Sequence, residues 1–347
     1  MVIPEESGAD HQDGSLAEQF TAPAAHAERE SISAPPIYFG GGFGYGESRN
    51  NGVLDYIKTL GHDTIPSLPD PDRRERNNNF MLRGEKGSVV LSRMQTLRLA
   101  GTMNPDTVTS HYQHERAQEL ILTLESGGYT GIDAIFQSGD AINGLEVLYE
   151  RPDLVGNAIL AYPAGIIKQP RFLKASAGVF RSAWKARPPD DISAENNFEV
   201  GDDGKKVKRE FGASNFTVAA SVALTDQSHM LSEIRSRPNP HGIWLVLGLQ
   251  DWMVRAEDVI ESLQSPNDVD GILITDKPHG ISGRKDEIHE WLKLFPLMKE
   301  AKAAREAGMA TATPLASRVR FFGDISQEKQ DELLTLVSKV GAKSNNP

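Results

Sequence analysis

Ser138 is the first residue whose sequence setting could support chemistry. Residues 131–145 (GIDAIFQSGDAINGL) predict a buried strand, an abrupt turn at Ser138 and then a helix. A serine on such a turn projects its Oγ above the sheet, and the amide of Gly139 then points with the helix N-terminus at a developing negative charge. The segment is typical of a nucleophile elbow, although a serine between a strand and a helix often acts only as a helix cap.

Histidine pairs and glycine-rich runs elsewhere give weaker signals. His111 and His114 are three residues apart, but no carboxylate or third histidine in the sequence is spaced to complete a metal site. The run Gly40 to Gly46 lacks the Gly-Lys-Ser/Thr ending of a phosphate loop, and no ribose-binding acid follows it. We therefore expect neither a metal nor a cofactor.

The elements that position Ser138 are indicated by short apolar runs that alternate with helical patterns from Pro36 onward. Strands are predicted at residues 37–39, 64–68, 132–136, 158–162, 243–247 and 272–275. Helices are predicted at residues 52–60, 107–126, 141–150, 256–263 and 284–297. This alternation predicts an α/β fold with a mostly parallel sheet and helices on its faces.

Composition shifts divide the chain into further segments. Residues 1–34 are rich in Ala, Pro, Ser and Glu without periodicity and are interpreted as a disordered arm. Residues 35–163 and 238–300 form the predicted core, and residues 164–237 an inserted, mainly helical cap. An apolar stripe within residues 173–184 is either ordinary helix packing or the inner face of a lid. Residues 301–347 are interpreted as a helical extension.

Bulk composition excludes several classes of protein. The chain has 347 residues and a formal net charge of -11, which disfavours nucleic acid as a partner. It has no cysteine, so a disulfide or a thiolate nucleophile is excluded. Its apolar runs are much shorter than the roughly 18 residues of a membrane span, and its first residues do not resemble a secretory signal. We expect a cytoplasmic protein, and its oligomeric state stays open.

From about Pro36 to Leu297 the chain resembles an α/β-hydrolase. The run FGGGFGYG at residues 39–46 occupies the place of the family's His-Gly loop, whose backbone amide completes the oxyanion hole. The donor implied by the resemblance is Phe43 or Gly42, beside Gly139. Residues 60–71 resemble the next strand with its proline-rich turn. The implied fold is a mostly parallel sheet of the α/β-hydrolase type with an inserted cap.

The resemblance also implies two partners for Ser138. The family's acid follows the penultimate strand, where Asp251 ends the run WLVLGLQD. Its base follows the last strand, where His279 ends the run ILITDKPH. In this mechanism neutral His279 takes the proton of Ser138, and Asp251 fixes the histidine tautomer and stabilises the imidazolium.

Two departures from the family pattern leave alternatives open. The motif G-x-S-x-G is replaced by Phe136-x-Ser138-x-Asp140, and the loop has Gly where the family usually has His. A shifted register would make Asp140 the nucleophile, as in haloalkane dehalogenases and epoxide hydrolases. We expect a serine hydrolase that cleaves a small, apolar carboxylic ester, thioester or amide through an acyl-enzyme. The alternatives are an Asp140 hydrolase and a non-catalytic binding protein of the same fold.

Overall fold

The computed structural model describes residues 34–41, 47–68, 80–84, 87–91, 108–166, 225–237, 241–251, 253–279, 285–307 and 313–340. All of them belong to the second of two units of the chain, residues 34–347. The predicted arm therefore lies outside the described residues except for Ala34. The predicted cap lies outside them between residues 167 and 224.

The described part contains nine strands and eight α-helices. The strands are β1 (Ile37–Gly40), β2 (Phe80–Gly84), β3 (Gly87–Leu91), β4 (Val108–Ser110), β5 (Ile132–Gln137), β6 (Val155–Ala161), β7 (Gly242–Gly248), β8 (Gly271–Thr275) and β9 (Val319–Phe322). The helices are α1 (Glu47–Thr59), α2 (His111–Ser126), α3 (Asp140–Glu150), α4 (Ser228–Ser236), α5 (Ala256–Ser262), α6 (Lys285–Leu292), α7 (Leu294–Glu306) and α8 (Gln327–Ser338). None of the helices described is long and apolar enough to cross a membrane.

Six strands form the central sheet in the order β1-β5-β6-β7-β8-β9. Every neighbouring pair in it is parallel. Strand β7 is a continuous apolar run, and all seven of its residues are buried, as expected when helices cover both faces of a parallel sheet. The predicted α/β fold with a parallel sheet is confirmed.

Helices pack on both faces of this sheet and bury two apolar clusters. Leucines of α2 and α3 join one cluster, with Val259 of α5 and Leu333 of α8. The other cluster contains Leu54 of α1, Trp291 of α6 and Met298 of α7. Successive strand residues alternate between the two, since their side chains point to opposite faces. The carboxyl edge of the sheet is thus held from both sides.

The structure differs from the sequence prediction in four elements. The strand predicted at residues 64–68 is a single bridge between Ile37 and Thr64, because the proline at position 66 cannot donate to a ladder. A three-stranded sheet, β3-β2-β4, falls where we predicted no strands, and its strand β4 occupies the start of the helix predicted at residues 107–126. The helix predicted at residues 284–297 is two helices, α6 and α7. Strand β9 joins the central sheet from the segment interpreted as a helical extension.

Candidate active site

Three strand ends bring the predicted site residues together. Ser138 follows β5, Asp251 follows β7 and His279 follows β8. Parallel strands place their carboxyl ends at the same edge of a sheet, so residues separated by more than a hundred positions can meet there. The structure places all three side chains in one buried, hydrogen-bonded chain.

The hydrogen bonds of this chain fix the direction in which a proton can move. The Oγ of Ser138 lies 2.7 Å from the Nε2 of His279, and the Nδ1 of His279 lies 2.6 Å from the Oδ2 of Asp251. The side chains of His279 and Asp251 are only 4% and 0% exposed. Because an ionised carboxylate can only accept, a neutral His279 in this arrangement carries its hydrogen on Nδ1 and offers the lone pair of Nε2 to the serine hydroxyl.

Asp251 is itself held in place by two backbone amides. Its Oδ1 accepts hydrogen bonds from the amides of Met253 and Val254, at 2.8 and 2.9 Å. One carboxylate oxygen is therefore used by the loop after β7, and the other faces His279. The carboxylate cannot rotate away from the imidazole without breaking both amide bonds.

Ser138 has the strained backbone expected of a nucleophile elbow. Its φ is 56°, in the left-handed region that non-glycine residues seldom adopt. The turn is secured by backbone bonds: the Ser138 amide donates to the carbonyl of Ala161, and the Ser138 carbonyl accepts from the amides of Ala141 and Ala164. Strain of this kind persists only where the surrounding structure enforces it, and it is common at functional sites.

Gly144 explains how the elbow accommodates Phe136 at a position where the family has a small residue. A Cβ on Gly144 would lie 2.4 Å from ring atoms of Phe136, so the ring occupies the space that a side chain on the elbow helix would need. The small residue required for close packing is supplied by the helix instead of the strand. Sequence reasoning missed this exchange, because nothing in the spacing of residues 136 and 144 shows that they touch.

Asp140 begins the elbow helix α3 and takes no part in the serine–histidine contact. Its Oδ1 accepts from the side-chain amide of Asn143 at 2.5 Å. Its Oδ2 is buried, has no hydrogen-bond partner among the described residues and lies where a Cβ on Gly40 would be. Burial raises the pKa of the Asp140 carboxyl to about 6, and this effect outweighs the opposing influence of Arg116 and Asn143.

The predicted oxyanion hole is only partly within the described residues. Gly139 directly precedes helix α3, with φ and ψ near helical values, so its amide lies at the start of the helix. Phe43 and Gly42 lie outside the described residues. The preceding residue, Gly41, donates its amide to the Oδ1 of buried Asn50 at 3.1 Å. Sequence reasoning did not find Asn50, and no motif marks it.

The structure corrects our expectation that no carboxylate accompanies His114. Two glutamates of α3 approach this histidine from the neighbouring helix, and the ligand atoms of His114, Glu146 and Glu150 lie within 4.8 Å of one another. The Nδ1 of His114 lies within hydrogen-bonding distance of the Oε1 of Glu146. Spacing along α2 could not reveal this group, because its carboxylates belong to α3. The side chain of His111 lies outside the described part of the structure.

Comparisons with known proteins give distant structural neighbours only. No family model and no curated protein matches the sequence. An esterase from Exiguobacterium antarcticum is 13% identical with a TM-score of 0.46, covering 77% of this chain and 92% of its own. A hydrolase from Pseudomonas aeruginosa is 12% identical with a TM-score of 0.42, covering 79% of this chain and 90% of its own. An esterase from Pyrococcus furiosus is 15% identical with a TM-score of 0.42, covering 76% of this chain and 82% of its own. Scores at this level indicate no activity or substrate for this chain.

The class of fold follows from the molecule itself. The helices flank a six-stranded parallel sheet, and a strained serine turn joins β5 to α3. The acid and the histidine follow later strands in the chain order Ser, Asp, His. These are the features of the α/β-hydrolase fold.

Proposed function

We propose that this protein is a serine hydrolase that cleaves a carboxylic ester, thioester or amide through an acyl-enzyme intermediate. The observation that carries the proposal is the continuous hydrogen-bonded chain from Ser138 Oγ through His279 to Asp251. A buried serine hydroxyl that donates to an imidazole, itself oriented by a carboxylate, is the arrangement that activates a serine for attack.

The acylation step follows from this geometry. As Ser138 Oγ bonds to the substrate carbonyl carbon, its proton passes to Nε2 of His279, and the imidazolium is stabilised by the Asp251 carboxylate. The carbonyl oxygen becomes an oxyanion, for which the amide of Gly139 is one donor. Phe43 or Gly42 is proposed as the second donor. When the tetrahedral intermediate collapses, Nε2 returns its proton to the leaving alcohol, thiol or amine.

Deacylation repeats the sequence with water as the nucleophile. His279 takes a proton from water as the water oxygen attacks the acyl carbon, and it then returns that proton to Ser138 Oγ as the acid is released. The enzyme is regenerated in its starting protonation state. We propose an apolar acyl group as substrate, on the basis of the aliphatic and aromatic stripe within residues 173–184.

Two observations support Ser138 over Asp140 as the nucleophile. The positive φ of the elbow falls on Ser138, and the Nε2 of His279 contacts the hydroxyl of Ser138. Asp140 accepts a hydrogen bond from Asn143, and its other oxygen is buried against Gly40. A carboxylate turned in this direction is poorly placed to attack a substrate held over the serine.

The proposal is tested with a series of p-nitrophenyl esters of increasing acyl-chain length. Wild type should release p-nitrophenol with a burst equal to one equivalent of enzyme when deacylation is slow. Ser138→Ala should lose the burst and nearly all turnover. Ser126→Ala, which removes an exposed hydroxyl at the end of α2, is the matched control and should leave both unchanged. A folded wild type that releases neither p-nitrophenol from any ester nor the free thiol from thioester analogues would favour the non-catalytic interpretation.

A further inference from the structure

Tyr162 shares with Ser138 a feature that no other described non-glycine residue has. Its φ is 50°, so these two residues alone among those described adopt the left-handed backbone without being glycine. Both directly follow a strand, β5 for Ser138 and β6 for Tyr162, and these strands are neighbours in the sheet. Because non-glycine residues with positive φ cluster at functional sites, Tyr162 is a candidate for a role in the site.

The ring of Tyr162 packs against the candidate base. Its centroid lies 5.9 Å from that of the His279 imidazole, and on another side it meets the Trp291 ring edge-on at 6.2 Å. A Cβ on Gly248 would lie 2.7 Å from this ring, so the glycine at the end of β7 leaves the space that the tyrosine fills. The tyrosine is fully buried. Its ring therefore has little freedom to move away from the imidazole.

The hydroxyl of Tyr162 joins two further elements at the same edge. It donates to the Oε1 of Glu287 on α6 at 2.5 Å, and it lies 3.2 Å from the Oγ1 of Thr275 at the end of β8. Glu287 and Thr275 are 1% and 0% exposed. Burial, together with the Glu287 carboxylate, raises the pKa of Tyr162 well above its usual value, so the phenol remains a donor.

These contacts form a hydrogen-bond relay with one possible direction. The single proton of Tyr162 is used by Glu287, so Thr275 must donate to the phenol oxygen. The Oγ1 of Thr275 in turn accepts from the amide of Lys277 at 3.3 Å. Lys277 lies in the segment between β8 and His279. The relay thus runs from the backbone of the histidine segment through Thr275 and Tyr162 to a buried carboxylate.

We infer that Tyr162, anchored by Glu287, is a positioning residue that holds His279 against Ser138. This inference rests on the proposed function. The ring supports one side of the imidazole, and the relay fixes the segment that carries it. The residue touches neither substrate nor the reacting atoms, so its loss should lower kcat by displacing the base and leave KM unchanged. A displacement near 1 Å can lower a rate by about 10²-fold.

The test combines ester kinetics with a spectroscopic signal of the histidine. The short Nδ1 to Asp251 hydrogen bond should give a far-downfield proton resonance, assigned by its absence in His279→Asn. Tyr162→Phe keeps the ring and removes the hydroxyl. It should lower kcat about 10- to 100-fold at constant KM and broaden or remove the resonance. Tyr149→Phe, made on the elbow helix, is the matched control and should change neither.

Tyr162→Phe deprives the buried Glu287 of a donor, so this variant could fail to fold. Two further variants keep the test decisive in that case. Thr275→Val removes only the middle of the relay and should give a smaller loss of kcat at constant KM with a weakened resonance. Glu287→Gln keeps an acceptor for the phenol and should retain both kcat and the resonance. An unchanged resonance and kcat in folded Tyr162→Phe or Thr275→Val overturns the inference, as does a loss in Glu287→Gln equal to that in Tyr162→Phe. If wild type hydrolyses no ester, the proposed function fails, while the resonance still tests the positioning role.

Discussion

Replacing Asp251 by asparagine should abolish most activity by imposing the wrong histidine tautomer. The Oδ1 of Asp251 accepts from the amides of Met253 and Val254, and its Oδ2 accepts from His279. Asparagine can keep both amide bonds only if its oxygen takes the Oδ1 position. Its NH₂ group then faces Nδ1 of His279 as a donor. The opposite orientation would set that NH₂ against two backbone N–H groups and lose both bonds.

In Asp251→Asn the ring proton of His279 should move from Nδ1 to Nε2. Facing a donor, Nδ1 must act as acceptor, so the proton moves to Nε2 and the lone pair aimed at Ser138 is lost. The variant also lacks the charge that stabilises the imidazolium. Together these effects should lower kcat by about 10⁴-fold, or roughly 5 kcal/mol of transition-state stabilisation.

The assay is steady-state hydrolysis of the best p-nitrophenyl ester, with thermal unfolding measured on the same samples. Asp251→Asn should unfold within a few degrees of wild type, because both amide bonds survive. Asp55→Asn, at a largely exposed carboxylate on α1, is the matched control and should keep full activity. A folded Asp251→Asn protein that retains more than about one tenth of wild-type kcat would refute the tautomer argument.

Three further variants test the surroundings of the site by denaturant unfolding. Asp140→Asn should stabilise the protein by up to about 3 kcal/mol at pH 8, because the folded-state pKa near 6 exceeds the ordinary 3.8; the gain should shrink below pH 6 and vanish near pH 4. Burial lowers the pKa of His241 to about 4, so between pH 6.5 and 4 only the unfolded state of wild type takes up this proton. The free energy of unfolding of wild type should therefore fall by up to about 3 kcal/mol over this range, and His241→Asn should abolish that fall. Gly144→Ala should destabilise by about 1–3 kcal/mol, since its Cβ meets the Phe136 ring.

The two titrating groups act in opposite directions, which gives each an internal control. The Nδ1 of His241 donates to the carbonyl of Val155 at 2.6 Å, and the asparagine amide can replace that bond. Stability should therefore fall more steeply with acid in Asp140→Asn than in wild type, and less steeply in His241→Asn. Equal pH dependence in all three proteins would contradict both assignments. An unaltered stability in Gly144→Ala would show that Phe136 can move aside.

The central strands and the order of the site residues could be predicted, because both depend on short stretches of neighbouring residues. Buried parallel strands are apolar runs, and the positions of Ser138, Asp251 and His279 follow from the ends of those runs. Strand β9 could not be found in the same way. Its four residues, VRFF, are partly exposed and follow a short 3₁₀ turn at Leu315–Arg318.

Contacts between residues far apart in the chain could not be predicted from sequence patterns. The packing of Phe136 on Gly144, the bond from Gly41 to Asn50 and the approach of Glu287 to Tyr162 depend on how helices sit on the sheet. Periodicity shows which face of an element is apolar, but it does not show which residue lies opposite. These pairings adapt the elbow and the base to this particular chain, so they appear only in the folded protein.

The most direct test of the central claim is the site of attack by a fluorophosphonate probe. The folded protein should gain the mass of one phosphonyl group, and peptide mapping should locate that group on Ser138. Prior denaturation should abolish the reaction, because the serine then loses contact with His279. Absence of an adduct on the folded protein, or labelling that persists in Ser138→Ala, would contradict the proposal that this serine is the activated nucleophile.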